Sequence, residues 1–259
     1  MPLSVRVRTQ NCVFMTQSYI KEGFSLHKEI AENLEAVQSR IARAAERAGR
    51  KREDIILLGA TKTVEPERIQ YAVDSGLRYI GENRVQELTD KFGKVQNAQW
   101  HFIGHLQTNK VKYIIDKAAL IHAADTSRLM DEISRQAEKH GLCAHVLLEV
   151  NASGEESKFG MDFDAVLPTI EENEGRNGVE IDGLMTIGPN TRDEAAVRKA
   201  FAEMRTLYES IGAQSFRHCR MQYLSMGMSG DYEIAIEEGA NIVRIGSAIF
   251  GYRNYGGNQ

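Results

Sequence analysis

The chain has 259 residues, 42% of them apolar and 26% charged, with a net charge of −4 from 32 basic and 36 acidic side chains. That length suits one large α/β domain, and the composition is that of an ordinary globular protein. The mild acidity and the lack of a long like-charge block argue against a nucleic-acid partner, and no run approaches the roughly 18 apolar residues needed to cross a membrane. Cys12, Cys143 and Cys219 form no CxxC pair, which fits reduced thiols in the cytoplasm. Cys219 beside His218 leaves a nucleophile–base pair as a minor alternative.

Residues 1–24 lack both an apolar core and a cleavage signature, so a loosely ordered N-terminal extension is expected there. Leu26, Ile30, Leu34, Val37, Ile41, Ala44 and Ala48 then recur at steps of three and four, which predicts a helix capped by Ser25 and stopped by Gly49. Apolar strand candidates follow at 55–62, 79–83, 100–104, 119–125, 144–151, 181–188, 223–227 and 242–248, with helical segments between them. Leu129, Ile133 and Ala137 mark one helix, ending before Gly141. Val197, Phe201, Met204 and Ile211 mark another.

Strand–helix alternation requires parallel pairing through helical crossovers. Eight units predict a single (β/α)8 TIM barrel over residues 25–259, with a doubly wound sheet as the alternative. No GxGxxG follows the first strand to support that alternative. Gly251–Gln259 is too short for a packed eighth helix. The opening helix is therefore expected to cover the gap beside the last strand.

Lys62 ends the first strand. If Ile56, Leu58 and Ala60 face the barrel interior, Lys62 stands in the top layer at the C-terminal mouth. A lysine that attacks an aldehyde must be neutral, and at an ordinary pKa only about one amine in two thousand is neutral at pH 7. Burial or a nearby arginine would raise that fraction; a lysine reaching into water is the plainer reading. Two Gly/Ser loops, Ser225-Met226-Gly227-Met228-Ser229 and Arg244-Ile245-Gly246-Ser247-Ala248, fall after the seventh and eighth strands, where barrels often bind phosphate. Lysine and loops together suggest a phosphorylated aldehyde held at both ends, the chemistry of pyridoxal phosphate.

Arg244 shares a face with Gly246. It suits either a donor to a pyridine nitrogen or an ion pair with Glu82 or Glu149. His101 and His105 raise the question of a metal, but no third ligand stands at useful spacing, so no metal is expected. Asn109 reads as a cap for the next helix. Lys158 offers either a contact for an anionic ligand or a solvated loop.

Thr61-Lys62-Thr63, Gly81-Glu82-Asn83-Arg84-Val85-Gln86-Glu87, the run from Trp100 to Lys110, Ser157-Lys158-Phe159-Gly160, Gly183-Leu184-Met185, the run Leu224–Ser229 and the run Val243–Gly251 together resemble the pyridoxal-phosphate-binding homeostasis proteins of the YggS/PROSC type. The likeness covers roughly residues 26–254. It implies a single barrel like the cofactor domain of alanine racemase. It implies a Lys62 aldimine, Arg244 at the pyridine nitrogen, Ser229, Gly246 and Ser247 on the phosphate, Ser225 and Met226 lining the site, and Asn83 near the ring. Two departures stand out. Ala60-Thr61 precede Lys62 where the family often has Ser, and Ser247 stands where it often has Thr.

By this resemblance the chain buffers or delivers pyridoxal 5'-phosphate with little or no turnover. Apo forms of pyridoxal-phosphate enzymes are possible recipients, and a monomer is expected. A racemase needs two placed acid/base groups; in related racemases a second domain supplies one, and no such domain follows Gly251 in these 259 residues. The alternatives are an amino-acid racemase or decarboxylase, with Tyr252 or Tyr255 as proton donor, and a phosphate-ligand barrel that uses no pyridoxal phosphate.

Overall fold

The computed structural model describes the backbone of residues 10–155 and 159–251, and side chains from Lys28 onward within those limits. Eight strands, β1 (Ile56–Ala60), β2 (Tyr79–Glu82), β3 (Gln99–Phe102), β4 (Leu120–Ala124), β5 (Ala144–Glu149), β6 (Val179–Met185), β7 (Cys219–Ser225) and β8 (Ile242–Ile245), close into a parallel barrel in sequence order. Closure rests on β1 pairing with β8, with Leu58 opposite Arg244 and Gly59 opposite Ile245.

The helices are α1 (Gln10–Arg47), α2 (Pro66–Asp74), α3 (Val85–Lys91), α4 (Ser127–His140), α5 (Phe163–Asn173), α6 (Glu194–Gly212), α7 (Tyr232–Glu237) and the single turn α8 (Ser247–Phe250). Their ends follow local chemistry. Thr126 caps α4 by accepting from the Leu129 N–H, Gly141 closes it at φ +63, and Asp193 caps α6 through the Ala195 and Ala196 amides.

Period-two alternation sorts the strand residues into two packed layers. Leu58, Ile103, Leu120, Leu147, Met185 and Ile242 fill the barrel, with Ile56, Ala60, Tyr79 and Tyr223 against them. Leu57, Ile80, Phe102, Val146, Val243 and Ile245 face the helices. The alternation expected for the first strand therefore holds through Ala60.

The opening helix seals the gap after β8. Ile30, Leu34, Val37, Ile41 and Ala44 are buried on its inner face. Asn33 donates to the Ile249 carbonyl at 3.1 Å, Arg40 pairs with Glu233, and Arg47 pairs with Glu233 and Glu237. Because this helix already runs from Gln10 in the described residues, Ser25 lies inside it and is no N-cap, whereas Gly49 does follow its end at φ +65. Cys12, Lys158, Tyr252 and Tyr255 fall outside the described side chains. Asn109 sits within a short 3-10 turn, Thr108–Tyr113, and does not cap it: Gln107 holds the cap position without a side-chain bond.

Candidate functional site

Lys62, Asn83, the 225–229 loop and the 244–247 segment stand at the C-terminal ends of β1, β2, β7 and β8, which are consecutive around the barrel. They form one arc of its mouth. Close backbone approach holds the arc together. A Cβ on Gly104 would fall 2.2 Å from the Asn83 carbonyl oxygen, so only glycine lets the end of β3 lie against Asn83. A Cβ on Gly246 would stand 3.1 Å from the Ala60 carbonyl oxygen, which sets the 244–247 segment beside the strand that leads to Lys62.

Lys62 is exposed and has no hydrogen-bond or ion-pair partner among the described residues. Its neighbours are tightly held. Thr61 is buried and donates through Oγ1 to Glu82 at 2.7 Å, and Thr63 stands at φ +61. The two loops across the mouth meet where the Ala248 N–H lies 3.5 Å from Ser229 Oγ. The Arg244 N–H donates to the Gly227 carbonyl at 3.0 Å. Ser229, Gly246 and Ser247 are half-buried, and the N–H groups of these three residues bond to no described group. Met226 lies apart from this set: it is buried, but its side chain packs in the larger core cluster outside the barrel lining.

Beneath the mouth runs a buried polar chain. Arg244, 4% exposed, donates from Nη1 to Ser225 Oγ at 2.7 Å and from Nη2 to the Thr186 carbonyl at 2.9 Å. Ser225 Oγ lies 3.0 Å from His122 Nδ1, and His122 Nε2 lies 2.9 Å from His101 Nδ1. Burial holds both imidazoles neutral: His101 is pushed down to about 4, and His122 well below its ordinary value, helped by His101 and Arg244. Burial also lowers Arg244, to about 10, against the pull of Glu149 and Asp231, so it remains charged at neutral pH.

Arg244 makes no ion pair with Glu82, which lies on the opposite face of its strand and binds Lys91 and Thr61. Glu149 acts on Arg244 only through the field. It is 4% exposed, and burial and the Asp125 charge push it up to about 7. His105 pairs with Asp125 at 3.3 Å and stacks on Phe159 at 4.0 Å between ring centroids. Among the described residues no group of three or more His, Cys, Asp or Glu is placed to hold a metal. The Cys219–His218 pair does not form a nucleophile: His218 bonds Glu180 at 2.9 Å, and burial raises the Cys219 thiol to about 12.

Sequence reasoning missed His122 and Thr186 as parts of this constellation, whereas Glu149 was expected as an ion-pair partner of Arg244 and acts on it through the field instead. A histidine in the middle of Leu120-Ile121-His122-Ala123-Ala124 was the available signal, because a polar residue inside a buried strand needs a partner.

Residues 32–254 match the family described as alanine racemase, N-terminal domain, and the chain belongs to that class of barrel. Alanine racemase of Clostridium difficile 630 has the same fold, with a TM-score of 0.66 at 15% identity over 87% of this chain and 58% of that one. The pyridoxal phosphate homeostasis protein of Aquifex aeolicus (strain VF5) is 45% identical over 226 residues, 86% of this chain and 98% of that one. PipY of Synechococcus elongatus PCC7942, solved with PLP bound, superposes with a TM-score of 0.75 at 29% identity, covering 86% of this chain and 100% of that one. Within the racemase-type barrels, this chain is a member of the pyridoxal phosphate homeostasis protein family.

Proposed function

We propose that this protein binds pyridoxal 5'-phosphate and serves the intracellular homeostasis of that cofactor, with little or no catalytic turnover. One observation carries the reading: a lysine without a partner among the described residues, and two touching Gly/Ser loops whose donors bond to no described group, share one arc of the mouth above a buried arginine.

The residues present fit the group. Pyridoxal phosphate brings an aldehyde that condenses with an amine, a phosphate and a pyridine nitrogen. Lys62 is the amine. The hydroxyls of Ser229 and Ser247 and the amides of Ser229, Gly246 and Ser247 can take the phosphate, in a cradle that a side chain at 246 would crowd. Asn83 flanks the ring. Ser225 holds Arg244, whose fork has five N–H donors, two of them spent on Ser225 and Thr186. A charged donor on the ring nitrogen keeps that nitrogen unprotonated and weakens the ring as an electron sink, which supports storage over turnover.

The free thiols of Cys143 and Cys219 agree with a cytoplasmic setting, and no helix of the described residues is long and apolar enough to cross a membrane. Apo-enzymes that need the cofactor are the proposed recipients, with the carrier a monomer.

Borohydride reduction of the loaded protein followed by peptide mass spectrometry tests the reading. An adduct on Lys62 is expected, and a colourless protein that forms no adduct overturns it. A second reading, an amino-acid racemase, draws support from Glu149, a carboxyl near the mouth that burial pushes up to about 7. Washout of substrate α-deuterium into water at enzymatic rates would favour it.

A further inference from the structure

Lys62 sits between two residues that a single buried ion cluster grips. Lys91, at the end of α3, donates from Nζ to the Thr61 carbonyl at 2.9 Å, to Glu82 Oε1 at 2.7 Å and to Glu87 Oε2 at 2.9 Å. Glu82 Oε1 also accepts from Thr61 Oγ1 at 2.7 Å, and Glu87 Oε2 accepts the Thr63 N–H at 2.7 Å. Every one of these bonds ends on the residue before Lys62, on the residue after it, or inside the cluster. None reaches Lys62 itself.

The cluster also holds a strained backbone. Thr63 stands at φ +61, a left-handed conformation in which a β-branched residue is a genuine outlier. Strain of this kind persists only where the surroundings over-determine it, and it concentrates at functional sites. Burying Lys91 and Glu82 is costly in its own right, and Glu82 Oε2 is buried with no hydrogen-bond partner among the described residues. A plain hydrophobic contact under α3 would hold the helix at less cost. The arrangement makes physical sense as a device for the turn above it.

We propose that Lys91, acting through Glu82 and Glu87, is the positioning residue for Lys62: the cluster fixes the peptide on both sides of that lysine and holds Thr63 in the turn that presents a free amine to the cofactor. The inference rests on the assignment of Lys62 as the cofactor-linking lysine. Because Lys91 is bound on three sides, it is also withdrawn from competing for the aldehyde.

Two variants test it. Lys91→Met removes the hub. Glu87→Ala removes the grip on Thr63 and one of the three acceptors of Lys91, at a half-buried position, while Lys91 keeps Glu82 and the Thr61 carbonyl, and so tests the proposal even if Lys91→Met fails to fold. Two quantities are read on the full chain: the rate at which added pyridoxal phosphate becomes borohydride-trappable on Lys62, and the affinity for pyridoxine phosphate, whose alcohol cannot condense with an amine. The attachment rate is expected to fall about ten- to a hundredfold in both variants, the cost of misplacing a reacting group by an ångström or less. The affinity for pyridoxine phosphate is expected to hold, since the phosphate loops lie on β7 and β8. Glu87→Gln, which keeps an acceptor for the Thr63 N–H, should recover much of the rate. Without any cofactor, hydrogen exchange at the Thr63 amide should accelerate in Glu87→Ala. An unchanged attachment rate, or a parallel fall in pyridoxine phosphate affinity, would overturn the positioning role while leaving Lys62 as the linking residue. A wild-type adduct on a different lysine would overturn both.

Discussion

The hydroxyl of Ser225 accepts from the Arg244 guanidinium at 2.7 Å, with both residues buried near the ends of adjacent strands in a barrel whose lining is otherwise largely apolar. This bond links the proposed cofactor site to a pair of neutral histidines below it. Arg244 is therefore a structural residue as well as the one proposed to face the cofactor ring. Arg244→Met should strip the donor from both Ser225 and the Thr186 carbonyl and destabilise the fold by about 1–3 kcal/mol. It should also shift the absorption of bound pyridoxal phosphate, and an unchanged spectrum would count against its place at the ring nitrogen.

Lys62→Ala should behave in the opposite way. The side chain is exposed and bonds to no partner among the described residues, so unfolding by heat or denaturant should change by no more than about 0.5 kcal/mol. The reducible adduct should vanish, with residual cofactor held only by the phosphate loops. If the adduct persists and maps to Lys110, or to Lys158 beyond the described residues, the assignment of the linking lysine fails.

How much of this could be read in advance depended on period and on partners. Alternation along Ile56, Leu58 and Ala60 was legible because a strand's faces repeat every second residue. The same rule, applied to Ile80 and Glu82, excludes Glu82 as a partner for the inward Arg244: Glu82 faces the helices. The Lys91 hub left only a partial local trace: Glu87 and Lys91 are four residues apart on one helix, but the other two acceptors, the Thr61 carbonyl just past β1 and Glu82 on β2, meet Lys91 only in the folded chain. Asn109 and Ser25 misled for a related reason. Each is a good cap by type, but the element's limits are set by packing, and α1 continues upstream of Ser25. The Gly/Ser loops were legible as turns. Their meeting through Ser229 and Ala248 was visible only in three dimensions.

Glu149 gives a pH signature of defined sign. Its carboxyl is pushed from 4.5 up to about 7 in the folded chain, so the folded state holds a proton that the unfolded state releases. Its effect on stability is nil below about pH 4.5 and grows unfavourable as pH rises to about 7, where it reaches roughly 3 kcal/mol. His101 has the opposite dependence. Neutral in the fold down to about 4, it costs stability as pH falls below 6.5. The two overlap, so the measurement is the difference between wild type and Glu149→Gln in urea unfolding from pH 4.5 to 7.5. The variant should gain on wild type steadily with rising pH, and a flat difference would remove Glu149 as a titrating group.

Gly246→Ala separates the phosphate cradle from the rest of the site. The added methyl would stand 3.1 Å from the Ala60 carbonyl oxygen, tighter than ordinary packing, so either the segment carrying Ser247 or the end of β1 must give by a few tenths of an ångström. Gly246 is at φ −112, outside the left-handed region that favours glycine, so the substitution chiefly tests space. The shift falls on the residues proposed to hold the phosphate, and Ser247 also opens the α8 turn. Affinity for pyridoxine phosphate should drop about tenfold, the equivalent of one or two hydrogen bonds lost or lengthened. Attachment of non-phosphorylated pyridoxal to Lys62, which needs no cradle, should proceed as in wild type. Equal losses for both ligands would mean that the methyl disturbs Lys62 through Ala60 and that the two ends of the site cannot be separated at this position.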